Sequence, residues 1–315
     1  MGMATTQSAR AFLTSLIDYA GLFPPAKLPM AAACENFARY LQGEHEWMLG
    51  RFVCPTSRLR EMSQAAASLM PGTFATSGYR EYSHTDPWVI SVVIDGPLEQ
   101  DLDIIERFCA HHAAEEHGLA RIDCIEMKVG DAAQVDAALD VIPASVHPFF
   151  EVAVDQDVRG IIAAMAGNQC AAKVRTGGTV ATAFPTAEQV ARFILACAAA
   201  DVPFKATAGL HHAVRGEQKL TYEKDAASCT MFGFLNVFAA AAVARVKRAS
   251  ESDIAAILTE TRGNRFVFTE QGIKVGDIEI DSAQVARVRE TFALSFGSCS
   301  FDEPVQELQA AGVID

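Results

Sequence analysis

Apolar and polar positions alternate in blocks from residue 10 to about residue 246. Short apolar runs of strand length are separated by longer stretches with the three-to-four spacing of a helix. Such alternation predicts a parallel α/β fold. A first strand is expected at 16–19, ending in a Gly/Pro-rich loop, with a helix over 29–41. The second strand, 48–54, is stopped by Pro55, and Ser57 is placed to cap a helix running to 69. Residues 71–87 are polar and turn-rich, an excursion over one end. The third strand, 88–94, is almost wholly apolar, as a strand covered on both faces must be. Asp95-Gly96-Pro97 ends it, and a helix is expected to about 117. Strands follow at 122–129 and 148–154, then in the two segments that carry Lys173 and Lys205. Residues 229–234 are expected as the eighth strand, running into an apolar helix over 237–246. Eight strands, each followed by a helix-length segment, are the count of a closed (β/α)8 barrel.

The pattern changes after residue 249. A capped helix is expected over 250–260, a small hairpin over 265–280 with turn signals at Gly272 and Gly276, a helix over 282–294, and a last segment over 295–304. The expected organisation is therefore α/β: a (β/α)8 TIM barrel over residues 1–248 and a small α+β extension over 249–315. Phe296 and Phe301 should pack that extension against the barrel near its mouth. The 315 residues and the half that are hydrophobic are enough for such a core. A net charge of −13 argues against nucleic acid or an anionic membrane as partner. The eight cysteines form no Cys-x-x-Cys pair, which removes the zinc-knuckle and thioredoxin readings and suits a reducing compartment. With no signal peptide and no apolar span of about 18 residues, the expected location is cytoplasmic.

The candidate chemistry is concentrated between residues 171 and 212. Lys173 and Lys205 are each followed by a small-residue loop, Thr176-Gly177-Gly178 and Ala208-Gly209, with a helix between them capped by Thr186. They are about one strand–helix–strand unit apart. In a parallel barrel the C-terminal strand ends share one mouth, which would bring the two amines together. Burial and a neighbouring cation both lower an amine pKa. A neutral amine can attack a carbonyl and form a Schiff base. The bland reading is that both lysines snorkel to water and pair with carboxylates. Arg175, two residues from Lys173, points to the same side and suits an anion. His211 and His212 lie in the next loop, where both can reach the mouth as acid or anion contact. No His-x-His or His-Glu-x-x-His spacing supports them as metal ligands. Glu151 on the fifth strand is a counter-charge for a lysine or for Arg175. On a straight fourth strand, Asp123 and Glu126 point to opposite faces, so an inward Asp123 would leave Glu126 and Lys128 facing the helices or lying beyond the strand end.

Several segments, in order, resemble the deoxyribose-phosphate aldolase family. Ile17-Asp18-Tyr19 is similar to the family's opening Ile-Asp-His-Thr, and Phe52-Val53-Cys54-Pro55 to its Val-Cys-Val-x-Pro. Val93-Ile94-Asp95-Gly96-Pro97-Leu98 resembles Val-Ile-Gly-Phe-Pro-Leu-Gly. Ile122-Asp123-Cys124-Ile125 resembles the strand that holds the family's catalytic aspartate. Lys173-Val174-Arg175-Thr176-Gly177 resembles its Lys-x-Ser-Thr-Gly, and Lys205-Ala206-Thr207-Ala208-Gly209-Leu210 its Lys-x-Ala-Gly-Gly-Ile. Phe232-Gly233 is similar to the Phe-Gly of its last strand. The resemblance covers residues 13–246. It implies Lys173 as Schiff-base nucleophile, Lys205 as the neighbour that depresses its pKa, Asp123 as proton shuttle and Asp18 as support for that relay. The chain departs from the family where Arg175 replaces serine, where Ala208 replaces the first of two glycines, and where Phe234-Leu235-Asn236 replaces small residues. Those loops hold the family's phosphate through backbone N–H groups.

The expected function is a Schiff-base aldolase or lyase acting on a small anionic carbonyl compound. Lys173, Lys205, Asp123 and Asp18 would be catalytic. Arg175, Thr176, Gly177, Gly178, Gly209, His211, His212 and Glu151 would contact substrate. No cofactor and no metal are expected, and a homo-oligomer stays open. Two alternatives come from the same residues. One is a metal-dependent hydrolase or lyase using His211, His212, Asp123 and Glu151. The other is a non-catalytic barrel that binds a small anion.

Overall fold

In the computed structural model, residues 4–72 and 86–315 are described. The excursion expected over 71–87 thus lies almost wholly outside the described residues. The first seven strands are β1 (Ile17–Tyr19), β2 (Leu49–Pro55), β3 (Trp88–Val93), β4 (Ala120–Lys128), β5 (His147–Val152), β6 (Ala171–Arg175) and β7 (Phe204–Thr207). They are followed by β8 (Gly216–Lys219), β9 (Ser228–Met231), β10 (Phe266–Phe268), β11 (Gly272–Val275), β12 (Ile278–Asp281) and β13 (Ala293–Ser298). The helices are α1 (Gln7–Leu13), α2 (Met30–Tyr40), α3 (Leu59–Ala66), α4 (Leu98–His112), α5 (Ala132–Leu139) and α6 (Arg159–Met165). The later ones are α7 (Ala187–Ala200), α8 (Phe234–Val246), α9 (Glu251–Thr259), α10 (Ser282–Thr291) and α11 (Asp302–Ala310).

Eight parallel strands close in the order β1-β13-β7-β6-β5-β4-β3-β2, a (β/α)8 TIM barrel with additional C-terminal elements. The strand that closes it corrects the sequence-based expectation. Residues 228–231 do not enter the barrel; they pair antiparallel with β8 in a separate hairpin. The physical reason lies in their side chains. β9 is Ser-Cys-Thr-Met and mostly solvent-facing, and its partner Gly-Glu-Gln-Lys is polar. The eighth barrel strand is β13, buried along nearly its whole length. It pairs with β7 through Ser295↔Lys205 and Gly297↔Thr207, and with β1 through Ile17↔Phe296 and Tyr19↔Ser298. The boundary expected after residue 248 therefore falls before barrel closure, and the C-terminal segment supplies a barrel strand as well as the small α+β elements.

Those added elements sit between β7 and β13. The β10–β11–β12 sheet packs on α1, α8 and α10. Helix α8 is apolar all round and buried from Phe234 to Val243, because α7, α9, α10 and β12 surround its outer side. Its one polar core residue, Asn236, donates to the Ile257 and Glu260 carbonyls at 2.8 and 2.7 Å and accepts from the Arg215 N–H at 2.8 Å. It thereby satisfies the open end of α9 and anchors the loop after β7. The expected caps Thr186 and Ser250 each form a capping box, with Gln189 and Asp253. Ser57 does not cap α3. It binds the Asp95 carboxylate through N–H and hydroxyl at 3.0 and 2.5 Å, tying together the loops after β2 and β3. Among the described residues, no helix is long and apolar enough to cross a membrane.

Candidate functional site

Strand register assembles the site. Across β4, β5, β6, β7 and β13, the paired positions are Lys128, Glu151, Lys173, Lys205 and Ser295, one continuous row. Side chains two residues apart on a strand share a face, so Glu126 lies one level below Lys128 and Arg175 one level above Lys173. The row turns inward and its charges meet. Lys173 Nζ contacts Glu126 Oε2 and Glu151 Oε2, both at 2.8 Å. Lys205 Nζ donates to Glu126 Oε1 and Asp18 Oδ2, both at 2.6 Å. The Ser91 hydroxyl donates to Glu126 at 2.6 Å and the Ser295 hydroxyl to Asp18 at 2.7 Å. The Asp18 Oδ1 accepts from the Arg51 N–H at 2.9 Å. A side chain at position 50 would put its Cβ 2.4 Å from that same oxygen, which is why glycine stands there.

One carboxylate therefore bridges the two amines and holds them well inside the ~10 Å over which charges feel each other. Both lysines are buried, Lys173 at 5% exposure and Lys205 at 0%. They do pair with carboxylates, but in the interior, not by reaching to water. Removing charges from water is costly, and what offsets the cost is that each ammonium meets two carboxylates and that Glu126 and Asp18 also accept from Ser91, Ser295 and the Arg51 N–H. Burial alone would raise the Glu126 pKa; Lys173 and Lys205 outweigh it and hold the carboxyl well below the usual range. Burial likewise disfavours the Lys205 charge, yet Asp18 and Glu126 overcome it and raise its pKa above the ordinary lysine value. The expected downward shift is thus reversed at Lys205: its neighbours are carboxylates, and it is a fixed cation.

Above the cluster opens a cavity of about 640 Å³, floored by Glu126, Glu151 and Lys173. Arg175, Gly178, Gly209 and His211 also line it. His211 is buried, which lowers its imidazole to about 4, with His212 acting in the same direction. Its Nδ1 lies 3.3 Å from the Ser298 hydroxyl and 3.6 Å from Cys299 Sγ. Thr176 and Gly177 shape the site from behind. The Thr176 hydroxyl donates to the Ala208 carbonyl at 2.7 Å and stitches the loops after β6 and β7. Gly209, at φ +71°, brings its backbone so close that an added Cβ would meet Gly177 Cα at 3.0 Å.

Two expected residues are elsewhere. Asp123 is not in the cluster. It is ion-paired with Arg51 at 2.7 and 2.9 Å and lines a different cavity, with Ser15, Trp88, Val89 and Arg121, at the N-terminal end of the barrel. The cause is a register shift in β4: Ile90 pairs with Ile122, but Ser91 pairs with Cys124. Residue 123 is the extra one, and it resets the alternation so that Cys124, Glu126 and Lys128 face inward above it. His212 is also turned away, with Nδ1 2.5 Å from Glu307 on α11. The four residues considered as metal ligands are therefore not gathered in one place. The sequence reading placed Glu126 and Lys128 facing the helices or beyond the strand end, whereas both face the cavity, and it gave Ser91 and Ser295 no role in the site. A glutamate inside the apolar run Cys124–Met127 was the available signal, since a buried carboxylate requires a cationic partner.

No family model, no curated protein and no solved structure matches the chain. What it shares with the family that the sequence resembles is the closed parallel barrel, a fold that commonly carries enzymes at the C-terminal strand ends.

Proposed function

We propose that the protein is a Schiff-base-forming lyase or aldolase acting on a small carbonyl compound, with Lys173 as the nucleophile. One observation carries this reading: Lys173 Nζ stands at the floor of the mouth cavity, joined through Glu126 to a second, wholly buried lysine. To attack, Lys173 must lose a proton. The acceptors in reach are Glu126 and Glu151, each at 2.8 Å. Glu151 is the better shuttle. Glu126 is fixed as an anion by Lys205 and Ser91, whereas the Glu151 carboxylate has Lys173 as its one side-chain partner among the described residues. Once the carbinolamine has formed, the same acid returns the proton to its hydroxyl, water leaves and the iminium remains. Cleavage of the bond between the α and β carbons then sends its electron pair into the iminium. The β-hydroxyl proton passes to a base, and an enamine and an aldehyde result. Lys205 acts as a positioning residue that pins Glu126 beneath Lys173.

The test is intact mass and peptide mapping after incubation with a panel of small aldehydes and ketones and borohydride. A reduced adduct is expected on Lys173 and should be absent from Lys173→Ala. An adduct on Lys205 alone would reverse the roles. Turnover of an identified substrate with no adduct on either lysine would overturn the reading.

A further inference from the structure

The cavity has two unlike sides. Phe23, Val53, Val93, Ile94, Leu220 and Met231 contribute an apolar side from the loop after β1, from β2, from β3 and its end, and from the β8–β9 hairpin. The other side is the charged row on β4 to β6. Lys128 in this row and Arg175 one level above Lys173 are exposed and line the cavity, and their side chains have no ion-pair or hydrogen-bond partner among the described residues. Both also line the pocket next to it, so they stand together on the rim. The inward charges on β1 and β4 to β7 are the cations Lys128, Lys173, Arg175 and Lys205 and the carboxylates Asp18, Glu126 and Glu151. With Asp95, a further carboxylate on the cavity wall that is hydrogen-bonded by the neutral Ser57, these charges sum to zero, so a single carboxylate is the smallest imbalance an anion can bring.

Two helix starts near the mouth have N–H groups already engaged. At the start of α8, Phe234 and Leu235 donate to the His212 and Ala213 carbonyls at 3.0 and 2.9 Å. At the start of α11 the Glu303 N–H donates to the Ser300 hydroxyl at 3.2 Å, and Asp302 and Glu303 stand in the first turn. Carboxylates there already take the favourable end of the helix dipole and repel a dianion.

We infer that the site takes a carbonyl compound with an apolar carbon chain and a carboxylate, the carboxylate held by Lys128 and Arg175 and the chain lying on the apolar side. A phosphate ester is disfavoured: with the charges of the site summing to zero, a dianion leaves twice the uncompensated charge of a carboxylate, and the N–H groups described at the starts of α8 and α11 are engaged. This inference rests on the Schiff-base reading for the carbonyl alone; the anion and the apolar contact can be measured without it.

The test is titration calorimetry of the full chain with hexanoate, hexyl phosphate and 1-hexanol. Hexanoate should bind at least tenfold more tightly than either of the others. The double variant Lys128→Gln, Arg175→Gln should lose at least tenfold for hexanoate and leave 1-hexanol unchanged, while Leu220→Asn should weaken both. Absence of hexanoate binding, tighter binding of hexyl phosphate, or a hexanoate preference that survives the double variant would each overturn the proposal. Borohydride trapping with 6-oxohexanoate separates the two readings: hexanoate binding without an adduct on Lys173 removes the Schiff base and spares the carboxylate site.

Discussion

At the scale of the residue, the decisive side chain is Glu126. It accepts from Lys205 and Ser91 on one oxygen and from Lys173 on the other. Glu126→Gln would leave two buried ammonium groups facing an amide. Breaking a buried pair of this kind typically costs about 3–5 kcal/mol, so a fall of that size in the denaturant-derived stability is expected. A loss below 1 kcal/mol would mean the cluster is not held as described. Glu151→Gln is expected to act on chemistry. Lys173 keeps Glu126, so the fold should survive with a smaller loss, while the rate of borohydride trapping should drop by about 10²-fold or more if Glu151 carries the proton. An unchanged trapping rate would exclude it as the shuttle. The two lysines were legible in the sequence because charges in apolar strands stand out, and Asp18 was named through the resemblance of Ile17-Asp18-Tyr19 to the family's opening motif. Glu126 was not, because alternation on a straight strand forces a choice between it and Asp123, and one extra residue removes that choice.

At the scale of the element, seven of the eight barrel strands were legible from apolar runs bounded by turn residues. The eighth was not, because Ala-Leu-Ser-Phe-Gly-Ser lacks the β-branched signature of a buried strand. Its small and polar residues are what its neighbours require. Ser295 serves Asp18, and a Cβ at position 297 would approach the Thr207 hydroxyl to 3.1 Å. Arg289 on α10 fixes where β13 begins. Its buried guanidinium donates to the Ala293 carbonyl, and to those of Leu294 at 2.6 Å, Phe12 at 2.8 Å and Thr14 at 3.2 Å. A chain ending at Ala249 would lack β13 and leave β1 and β7 as open edges over an exposed charge cluster. Such a chain should be insoluble or melt without a cooperative transition. A soluble, cooperatively melting truncated chain would show that β13 is dispensable to the barrel.

At the scale of the whole molecule, the buried titratable groups set a stability profile with a definite sign. Burial lowers the pKa of His112, His147 and His211, the last to about 4. For a base with a depressed folded value, the unfolded chain binds more protons, so stability falls as pH drops from the ordinary histidine value near ~6.5 toward the folded one. Glu126 and Asp123 have depressed folded values for a different reason: burial works against their charge, and Lys173 and Lys205, or Arg51, overcome it. Their contribution is present above the unfolded carboxylate range near ~4 and is lost only as pH falls through it. Lys205 is raised, so its share is complete below an unfolded value near ~10.4 and is lost above that. The profile should therefore peak near neutral pH: above ~8.5 it declines because unfolded thiols ionise while burial keeps those of Cys34, Cys124 and Cys170 protonated, and below pH 7 it declines in a first stage governed by histidine and collapses in a second governed by carboxylates. His211 alone should contribute a loss of about 2 kcal/mol between pH 7 and pH 5, since each pKa unit is worth about 1.4 kcal/mol. His211→Gln, with no proton to take up, should flatten the first stage by that amount and leave the second where it is. Denaturant midpoints at half-unit pH steps on both chains would check this. Equal slopes between pH 7 and pH 5 would mean that His211 is not held neutral in the mouth, and the cavity wall it forms would then be wetter than the structure has it.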